Sequence, residues 1–261
     1  DTGYDFFDTA SIYGMGDNET VLGKAISHRR SEYFLASKCV MGVRDGERVL
    51  DGSPEHIKAQ CDASLERLQT DVIDLYYMHR LDRNVPIEES VGALADLVAQ
   101  GKIRHVGLSE MSAETLRRAH AVHPIAAMQS EYSLWTRNPE ISVLETCAEL
   151  GVTFVSFSPV GRGFFADEPL NTEALHEIDL RGHLPRFQAD NYARNLQKLD
   201  ATRAIADELG CGIPDLALAW VLAQGEHVVT IPGTTRIDHL EQNYTALGLT
   251  IPDETLNRLG D

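Results

Sequence analysis

The hydrophobic pattern of the chain alternates between short β-rich runs and longer amphipathic stretches. Seven short runs are predicted as strands: Phe6–Asp8, Tyr33–Val40, Val72–His79, His105–Ser109, Ala126–Glu131, Thr153–Ser158 and Val228–Pro232. Apolar residues recur at helical spacing in the stretches that separate them: Glu19–Ser27, Pro54–Leu68, Ile87–Ala99, Ala113–Ala121, Glu140–Leu150, Leu196–Leu209 and Ile213–Ala223. Strands that alternate with helices in this way are typical of βαβ units and predict a parallel sheet.

Capping signals mark several of the predicted helix ends. Ser53 precedes Pro54, and Ser112 precedes Ala113, so both serines are expected to be N-caps. Asn18 is the expected N-cap of the first helix. Gly151 follows Leu150 at a position where a left-handed residue would end a helix.

One long segment, Arg162–Asn195, interrupts this alternation. It is polar, contains Pro169 and Pro185, and shows little periodicity. We therefore predict a long loop that acts as a lid, because long loops in compact domains are often functional. Two further loops are expected to contribute to substrate specificity, namely Val43–Gly52 and Ser133–Pro139.

Length and composition suit one α/β domain that spans residues 1–261. A chain of 261 residues has the usual size of a (β/α)₈ barrel, and 43% of its residues are hydrophobic. The formal net charge of −17 disfavours nonspecific binding to nucleic acid. No apolar run approaches the ~20 residues of a membrane span, so no membrane partner is expected. The four cysteines form no CxxC pair, which favours free thiols and a cytoplasmic location.

Polar residues stand within two residues of the carboxyl end of every predicted strand. In chain order they are Asp8, Lys38, His79, Ser109, Gln129, Ser158 and Thr234. A (β/α)₈ barrel carries its chemistry at this end of its strands. The alternative, an open dinucleotide-binding sheet, would need a glycine-rich loop after the first strand. Gly14-Met-Gly16 lacks the third glycine of that fingerprint, so the barrel is favoured.

Asp8, Tyr13, Lys38 and His79 together suit carbonyl reduction. An ammonium near a tyrosine stabilises its phenolate, and a carboxylate beside the lysine keeps the ammonium charged. A histidine at hydrogen-bond distance can orient a carbonyl oxygen. Such a tyrosine can donate a proton to that oxygen as hydride reaches the carbon. Each residue alone has an ordinary structural explanation, and the prediction depends on their conjunction at successive strand ends.

Three segments around these residues resemble the aldo-keto reductase family, most closely its bacterial, plant and potassium-channel-β-like branch. Phe6–Gly14 is similar to the family stretch that holds the catalytic Asp and Tyr at the same spacing. Leu35–Lys38 is similar to its catalytic lysine strand, and Asp74–His79 to its histidine strand. The resemblance implies a (β/α)₈ barrel, NADPH as cofactor and a small carbonyl compound as substrate. It implies no metal.

The resemblance also implies the cofactor-binding positions. Ser109 and Gln129 correspond to contacts with the nicotinamide amide. The segment Phe157–Gly163, at the end of the sixth predicted strand, corresponds to the stacking and pyrophosphate loop. The segment Ile231–Asn243, which runs from the last predicted strand into the predicted helix Asp238–Leu247, corresponds to the adenosine-phosphate site. In these last two segments the implied residues are Phe157, Ser158, Pro159, Gly161, Arg162, Ile231, Gly233, Thr234, Thr235, Arg236, His239, Gln242 and Asn243.

The chain departs from the family pattern in four ways. It starts just before the family's second strand, so the N-terminal hairpin, first strand and first helix are expected to be missing. Phe157 stands where members usually have Tyr, and Glu110 where many have Asn. His239 replaces a frequent Arg, and Gln242 a frequent Glu. Arg236 and Thr234 remain for a 2′-phosphate, which favours NADPH over NADH.

Other polar and aromatic residues have simpler interpretations. His120 and His123 lack a third ligand at suitable spacing, so no metal site is predicted. Cys39 is expected to pack on the face of its strand opposite Lys38. Trp135 either lines a substrate pocket or covers an edge of the barrel.

The sequence therefore predicts an NADPH-dependent reductase of aldehydes or ketones. Two alternatives remain open at this point. The chain could be a cofactor-sensing regulatory subunit without turnover. It could also be a Schiff-base aldolase, since a lysine at a barrel strand end can form an imine.

Overall fold

The computed structural model describes residues 2–176 and 179–260. Within these residues the strands are β1 (Phe6–Asp8), β2 (Phe34–Cys39), β3 (Met41–Arg44), β4 (Glu47–Leu50), β5 (Ile73–Met78), β6 (Ile103–Ser109), β7 (Ile125–Glu131), β8 (Thr153–Phe157) and β9 (Val228–Ile231). The α-helices are α1 (Asp17–Ile26), α2 (Pro54–Leu68), α3 (Ile87–Ala99), α4 (Ala113–Val122), α5 (Val143–Leu150), α6 (Ala189–Leu209), α7 (Ile213–Leu222), α8 (Ile237–Thr245) and α9 (Asp253–Gly260).

All seven predicted strands are present, most with bounds within one or two residues of the prediction. Helices α2 and α3 coincide with their predicted ranges. The Ser53 hydroxyl accepts a hydrogen bond from the His56 N–H, and the Ser112 hydroxyl accepts one from the Thr115 N–H, so both predicted caps are confirmed. Gly151 ends α5 in the left-handed conformation, with φ of 67°.

Three helix starts differ from the prediction. Helix α1 begins at Asp17 after Gly16, and Asn18 is not its cap. The Asn18 side chain instead accepts a hydrogen bond of 2.6 Å from the Thr9 hydroxyl. The predicted helix Glu140–Leu150 is a 3₁₀ turn, Asn138–Ile141, followed by α5. Helix α6 begins at Ala189, seven residues before the predicted start. The prediction started too late because the first two turns of this helix are polar and lack an apolar stripe.

Two elements were not predicted. The segment Val43–Gly52, predicted as a loop, largely forms the antiparallel hairpin of β3 and β4. Asp45 and Gly46 connect its strands with φ of 55° and 82°, the left-handed pair of a tight hairpin turn. Helix α9 near the C-terminus was also missed.

The chain divides into two compact units, which are described separately. In the first unit (residues 2–130 and 139–155), the strands β1, β2, β5, β6 and β7 pair in that order, and all of these pairs are parallel. The first residues of β8 also belong to this unit, and β8 follows β7 in the order of the sheet. Each strand thus lies beside the next main-sheet strand along the chain, as consecutive βα units require. The carboxyl ends of β1, β2 and β5 therefore meet at one edge of the sheet. The prediction of a single domain over 1–261 stays a prediction.

The second unit (residues 131–138 and 156–260) contains the ends of β7 and β8, then β9 and helices α6 to α9. The predicted lid, Arg162–Asn195, is here a series of 3₁₀ turns followed by the start of α6, and its residues 177 and 178 lie outside the described part of the chain. Glu131 anchors this segment at two points, since its carboxylate accepts hydrogen bonds from Arg162 and Arg186. In the part of the chain that the structure describes, no helix is both long and apolar enough to cross a membrane.

Candidate active site

Four predicted catalytic residues lie together in the first unit. Asp8 ends β1, Lys38 lies near the end of β2, and His79 directly follows β5. Tyr13 begins the 3₁₀ turn Tyr13–Gly16, five residues after Asp8. Because β1, β2 and β5 are neighbours and parallel, the fold brings their carboxyl ends to one place.

Lys38 is the centre of this cluster. Its side chain is fully buried, and its ammonium donates to Asp8 Oδ1 and, over 2.9 Å, to the Thr9 carbonyl. The Lys38 Nζ lies 5.1 Å from the centre of the Tyr13 ring, within the range of a cation–π contact. The expected arrangement of a carboxylate, an ammonium and a tyrosine is therefore present.

His79 completes the cluster as a neutral imidazole. Its ring meets the Tyr13 ring edge to face, with 5.7 Å between the centroids. Burial, and then the positive charges of Lys38 and Arg80, lower the pKa of His79 to about 3. At neutral pH one ring nitrogen consequently carries a proton and the other accepts. Among the described residues, the buried Nδ1 has no hydrogen-bond partner, so the ring is not committed to a structural bond through that atom.

The turn that carries Tyr13 has an unusual backbone. Gly14, Met15 and Gly16 follow one another with φ of 57°, 54° and 97°. A Cβ on Gly16 would lie 2.8 Å from Arg67 Cδ, so the arginine side chain would have to shift to admit one. Tyr13 remains 40% exposed, whereas Lys38 is sealed from solvent. The tyrosine is thus the member of the cluster that an external substrate can reach.

Gln129 contacts this cluster directly, and Ser109 is linked to it through Arg80, in ways that the sequence did not predict. Gln129 is buried, and its amide N–H donates to Asp8 Oδ2 over 2.8 Å, so Asp8 is held by both Lys38 and Gln129. The Ser109 hydroxyl accepts a hydrogen bond of 3.2 Å from Arg80, which also donates to the His79 carbonyl. Arg80 therefore supports two site residues at once. Sequence reasoning missed it, because an arginine after a strand usually points into solvent.

In the second unit, the segment after β8 has several left-handed residues. Phe157 ends the strand, and Ser158, Gly161 and Arg162 have φ of 52°, 60° and 61°. The Arg162 guanidinium lies 5.7 Å from the centre of the Phe157 ring and donates to Glu131 over 2.7 and 3.1 Å. Its charge is therefore partly neutralised within the unit. Pro159 is buried in the same segment.

The segment after β9 differs from the prediction in one respect. Arg236 was expected to face a phosphate, and here it forms an ion pair with Asp238. The Thr234 hydroxyl accepts from the Arg236 N–H over 3.1 Å, and α8 starts at Ile237. Ile231 is half-buried in β9, while Gly233, Thr235 and His239 are exposed. Gln242 donates to Asp167 over 3.3 Å, and Asn243 is half-buried.

The remaining site predictions concern metal, cysteine and tryptophan. Within residues 2–176 and 179–260, no three His, Cys, Asp or Glu side chains are grouped as metal ligands. Cys39 is buried and its thiol donates to the Tyr77 carbonyl, which confirms its packing role. Trp135 is half-buried, packs edge to face on Phe164 with 4.7 Å between centroids, and lies under the Arg186 guanidinium. These contacts favour packing within the second unit.

Comparison with known proteins matches the chain to one family. The model of the aldo/keto reductase family matches residues 1–261. A curated relative from Glycine max, named probable aldo-keto reductase 1, is 44% identical over 259 residues, which are 98% of this chain and 75% of that protein. A glycerol dehydrogenase structure from Gluconobacter oxydans has a TM-score of 0.91 at 27% identity, covering 99% of this chain and 80% of that one. An aldo/keto reductase from Klebsiella pneumoniae, solved with NADP and acetate, has a TM-score of 0.74 at 29% identity, covering 99% and 80%.

The chain belongs to the aldo/keto reductase family. The predicted family and the predicted (β/α)₈ fold class are both confirmed by these matches.

Proposed function

We propose that this protein reduces an aldehyde or ketone to an alcohol with NADPH, and that Tyr13 protonates the carbonyl oxygen. One observation carries the proposal: the exposed Tyr13 ring lies against the buried Lys38 ammonium and beside the neutral ring of His79. Family membership supports the reaction class, and the relative from Klebsiella pneumoniae that was solved with NADP supports the cofactor.

Each member of the cluster has one role in this reaction. Tyr13 holds the proton that the carbonyl oxygen receives. Lys38, fixed by Asp8, presents a positive charge on the Tyr13 side of the cluster and stabilises the phenolate that remains. His79, being neutral, can donate one N–H to the carbonyl oxygen and so orient it without adding charge.

The donor set of the second unit fits a phosphorylated dinucleotide. Thr234, Thr235 and Arg236 are exposed just before the nine-residue helix α8, so two hydroxyls, a guanidinium and a helix N-terminus are available to a phosphate. The Arg236–Asp238 pair is exposed, where ion pairs are weak and exchange readily with solvent ions. NADPH supplies the hydride when it is bound.

We assign the cofactor contacts unit by unit. In the first unit, Ser109 and Gln129 would hold the nicotinamide amide, with Arg80 and Asp8 fixing their orientation. In the second unit, Phe157 would provide an aromatic face for stacking and the segment Ser158–Arg162 would hold the pyrophosphate. The adenosine phosphate would be held by Ile231, Gly233, Thr234, Thr235, Arg236, His239, Gln242 and Asn243. A cytoplasmic location stays a prediction.

Fluorescence titration with NADPH, followed by turnover with a panel of aldehydes and ketones, tests the proposal. We expect NADPH binding and reduction of at least one carbonyl class, with consumption of one NADPH per alcohol formed. Tight NADPH binding without turnover across the panel would instead favour a regulatory subunit. A borohydride-trapped adduct on Lys38 would favour the aldolase, although the Lys38–Asp8 pair argues for a charged lysine and hence against imine formation.

A further inference from the structure

The Lys38 ammonium has a second aromatic neighbour that the proposed reaction does not use. Among the described residues, its hydrogen-bond acceptors are Asp8 and the Thr9 carbonyl. The Tyr77 ring lies 5.8 Å from Nζ, close to the 5.1 Å of the Tyr13 ring. A buried ammonium has lost its hydration, and aromatic faces are among the groups that compensate for that loss.

Strand register places Tyr77 beside Lys38. Tyr77 on β5 is the register partner of Lys38 on β2 and of Gly107 on β6. Residues in register on parallel strands point to the same face of the sheet, so Lys38, Tyr77 and Gly107 share one face. Tyr76, the preceding residue, faces the opposite side, although it is equally buried.

Gly107 provides the space for the Tyr77 ring. A Cβ on Gly107 would lie 2.4 Å from Cδ1 and 2.6 Å from Cε1 of that ring, so the ring lies directly over the glycine. Gly107 lies in β6 at the point where the pairing with β7 shifts register, and it does not have a positive φ, so a left-handed backbone is not the reason for glycine here. The contact with Tyr77 is what excludes a larger residue.

Tyr77 is unsuited to be the proton donor itself. Burial, and then the negative charge of Asp8, raise the pKa of Tyr77 well above its ordinary value, so its hydroxyl stays protonated. The side chain is also sealed from solvent, whereas Tyr13 is 40% exposed. Any contribution to the reaction must therefore pass through a neighbour.

We propose that Tyr77 is a positioning residue for Lys38, whose ring keeps the buried ammonium between Asp8 and Tyr13, with Gly107 as the space that admits the ring. The kinetic consequence rests on the proposed function, whereas the effect on the ammonium does not. The ring face, and not the hydroxyl, is the active part of Tyr77. Phenylalanine should consequently replace it, and leucine should not.

Lysine ¹⁵N NMR tests the effect on the ammonium without any turnover. The chain has only five lysines, and Lys38→Met identifies the Lys38 signal. We expect a sharp, slowly exchanging ammonium signal in the parent and in Tyr77→Phe, and a broadened or absent one in Tyr77→Leu. Tyr76→Leu is the matched control, because it removes a buried ring from the same strand on the other face, and it should leave the signal unchanged. As a single substitution, Gly107→Ala should also broaden the Lys38 signal. Combined with Tyr77→Leu, it should add little further broadening.

Kinetics test the consequence for the reaction. In Tyr77→Leu we expect kcat to fall about 3- to 30-fold, the range of one cation–π contact, with the Kd for NADPH within about twofold of the parent. The basic limb of the pH–rate profile should be displaced in Tyr77→Leu and should coincide with the parent in Tyr77→Phe. If Tyr77→Leu does not fold, Tyr77→Met and Gly107→Ala take its place with the same expected outcomes.

Three results would overturn the proposal: a parental ammonium signal and pH profile in Tyr77→Leu, equal changes in Tyr76→Leu, or an equally large loss in Tyr77→Phe. Absence of carbonyl reduction in the parent would count against the proposed function alone, because the NMR comparison would still decide the role of Tyr77.

Discussion

At the scale of single residues, the site depends on a buried charge pair whose two members have different tasks. Asp8 is nearly buried and fixes Lys38, while Lys38 faces the Tyr13 ring. Removing one member of a buried pair leaves the other charge without compensation, which commonly costs about 3–5 kcal/mol. Stability and activity should therefore respond differently when the second member is also removed.

Lys38→Met is expected to abolish carbonyl reduction and to destabilise the fold by several kcal/mol, roughly the cost of breaking a buried pair. The double variant Asp8→Asn/Lys38→Met should recover much of the stability, because no charge is left unpaired, but none of the activity. Urea unfolding and steady-state turnover measure the two effects. Recovery of activity in the double variant would show that Lys38 is needed only for stability.

His79 should make the fold sensitive to acid. Its pKa is lowered from 6.5 to about 3, so between these pH values the unfolded chain binds a proton that the folded protein does not. Stability is then lost as pH falls below about 6.5, by roughly 1.4 kcal/mol per pH unit from this group. Urea unfolding at pH 7 and pH 5 measures this loss. Between these two pH values, the free energy of unfolding should fall by roughly 2 kcal/mol less in His79→Gln than in the parent.

The control for that measurement is His28→Gln, which changes an exposed histidine. It should follow the parental curve. If the free energy of unfolding of the parent and of His79→Gln changed equally with pH, His79 would not be held neutral by its surroundings.

The four catalytic candidates were readable from the sequence, because three of them lie at or near the carboxyl ends of predicted strands and Tyr13 has the family spacing from Asp8. Their supporting contacts were not. The hydrogen bond from Gln129 to Asp8 joins residues 121 positions apart, and it depends on how far two side chains reach across the face of the sheet. Neither periodicity nor motif spacing contains that information. Arg80 was missed for the same reason, since its role depends on the direction of its side chain.

At the scale of elements, the start of α8 determines how the chain would bind a phosphate. Arg236 is paired with Asp238 in the first turn of that helix. The sequence predicted the hydroxyls, the arginine and a helix close to its observed position, but it did not predict that Asp238 would compete for the guanidinium. An acidic residue there stabilises the helix N-terminus and also repels a phosphate.

Arg236→Ala should weaken NADPH binding roughly tenfold to a hundredfold, the range for a hydrogen bond to a charged group, and should leave NADH affinity nearly unchanged. Asp238→Asn should have the opposite sign and strengthen NADPH binding, because it frees Arg236 and removes a negative charge. Fluorescence titration of both cofactors against both variants measures this. Equal effects on NADPH and NADH would place Arg236 away from the 2′-phosphate.

The hairpin of β3 and β4 shows which element signals were overlooked. Asp45-Gly46 between two short β-prone runs is a known hairpin signal, so this element was predictable in principle. The early start of α6 was not, because its first residues are polar and the helix there is stabilised by contacts within its unit, such as that of the buried Tyr192 with Phe187.

At the scale of the whole molecule, parallel strands and alternating helices were predictable because each buried strand is a short apolar run bounded by turn residues. The grouping of the chain into two units was not predictable, since no change in composition marks the boundaries near residues 131, 139 and 156. The charge of −17 acts at this scale too. This negative charge would repel an anionic cofactor, and a higher salt concentration should weaken that repulsion. The same salt would also screen the attraction between Arg236 and a phosphate.

The central claim is that Tyr13 is the proton donor, and Tyr13→Phe tests it most directly. With the best carbonyl substrate from the panel, we expect turnover to fall about 10²–10⁴-fold, the usual contribution of a general acid, while the Kd for NADPH stays within about twofold. Tyr33→Phe, which removes a phenol elsewhere in the first unit, should retain parental turnover. Near-parental kcat in Tyr13→Phe would contradict the account.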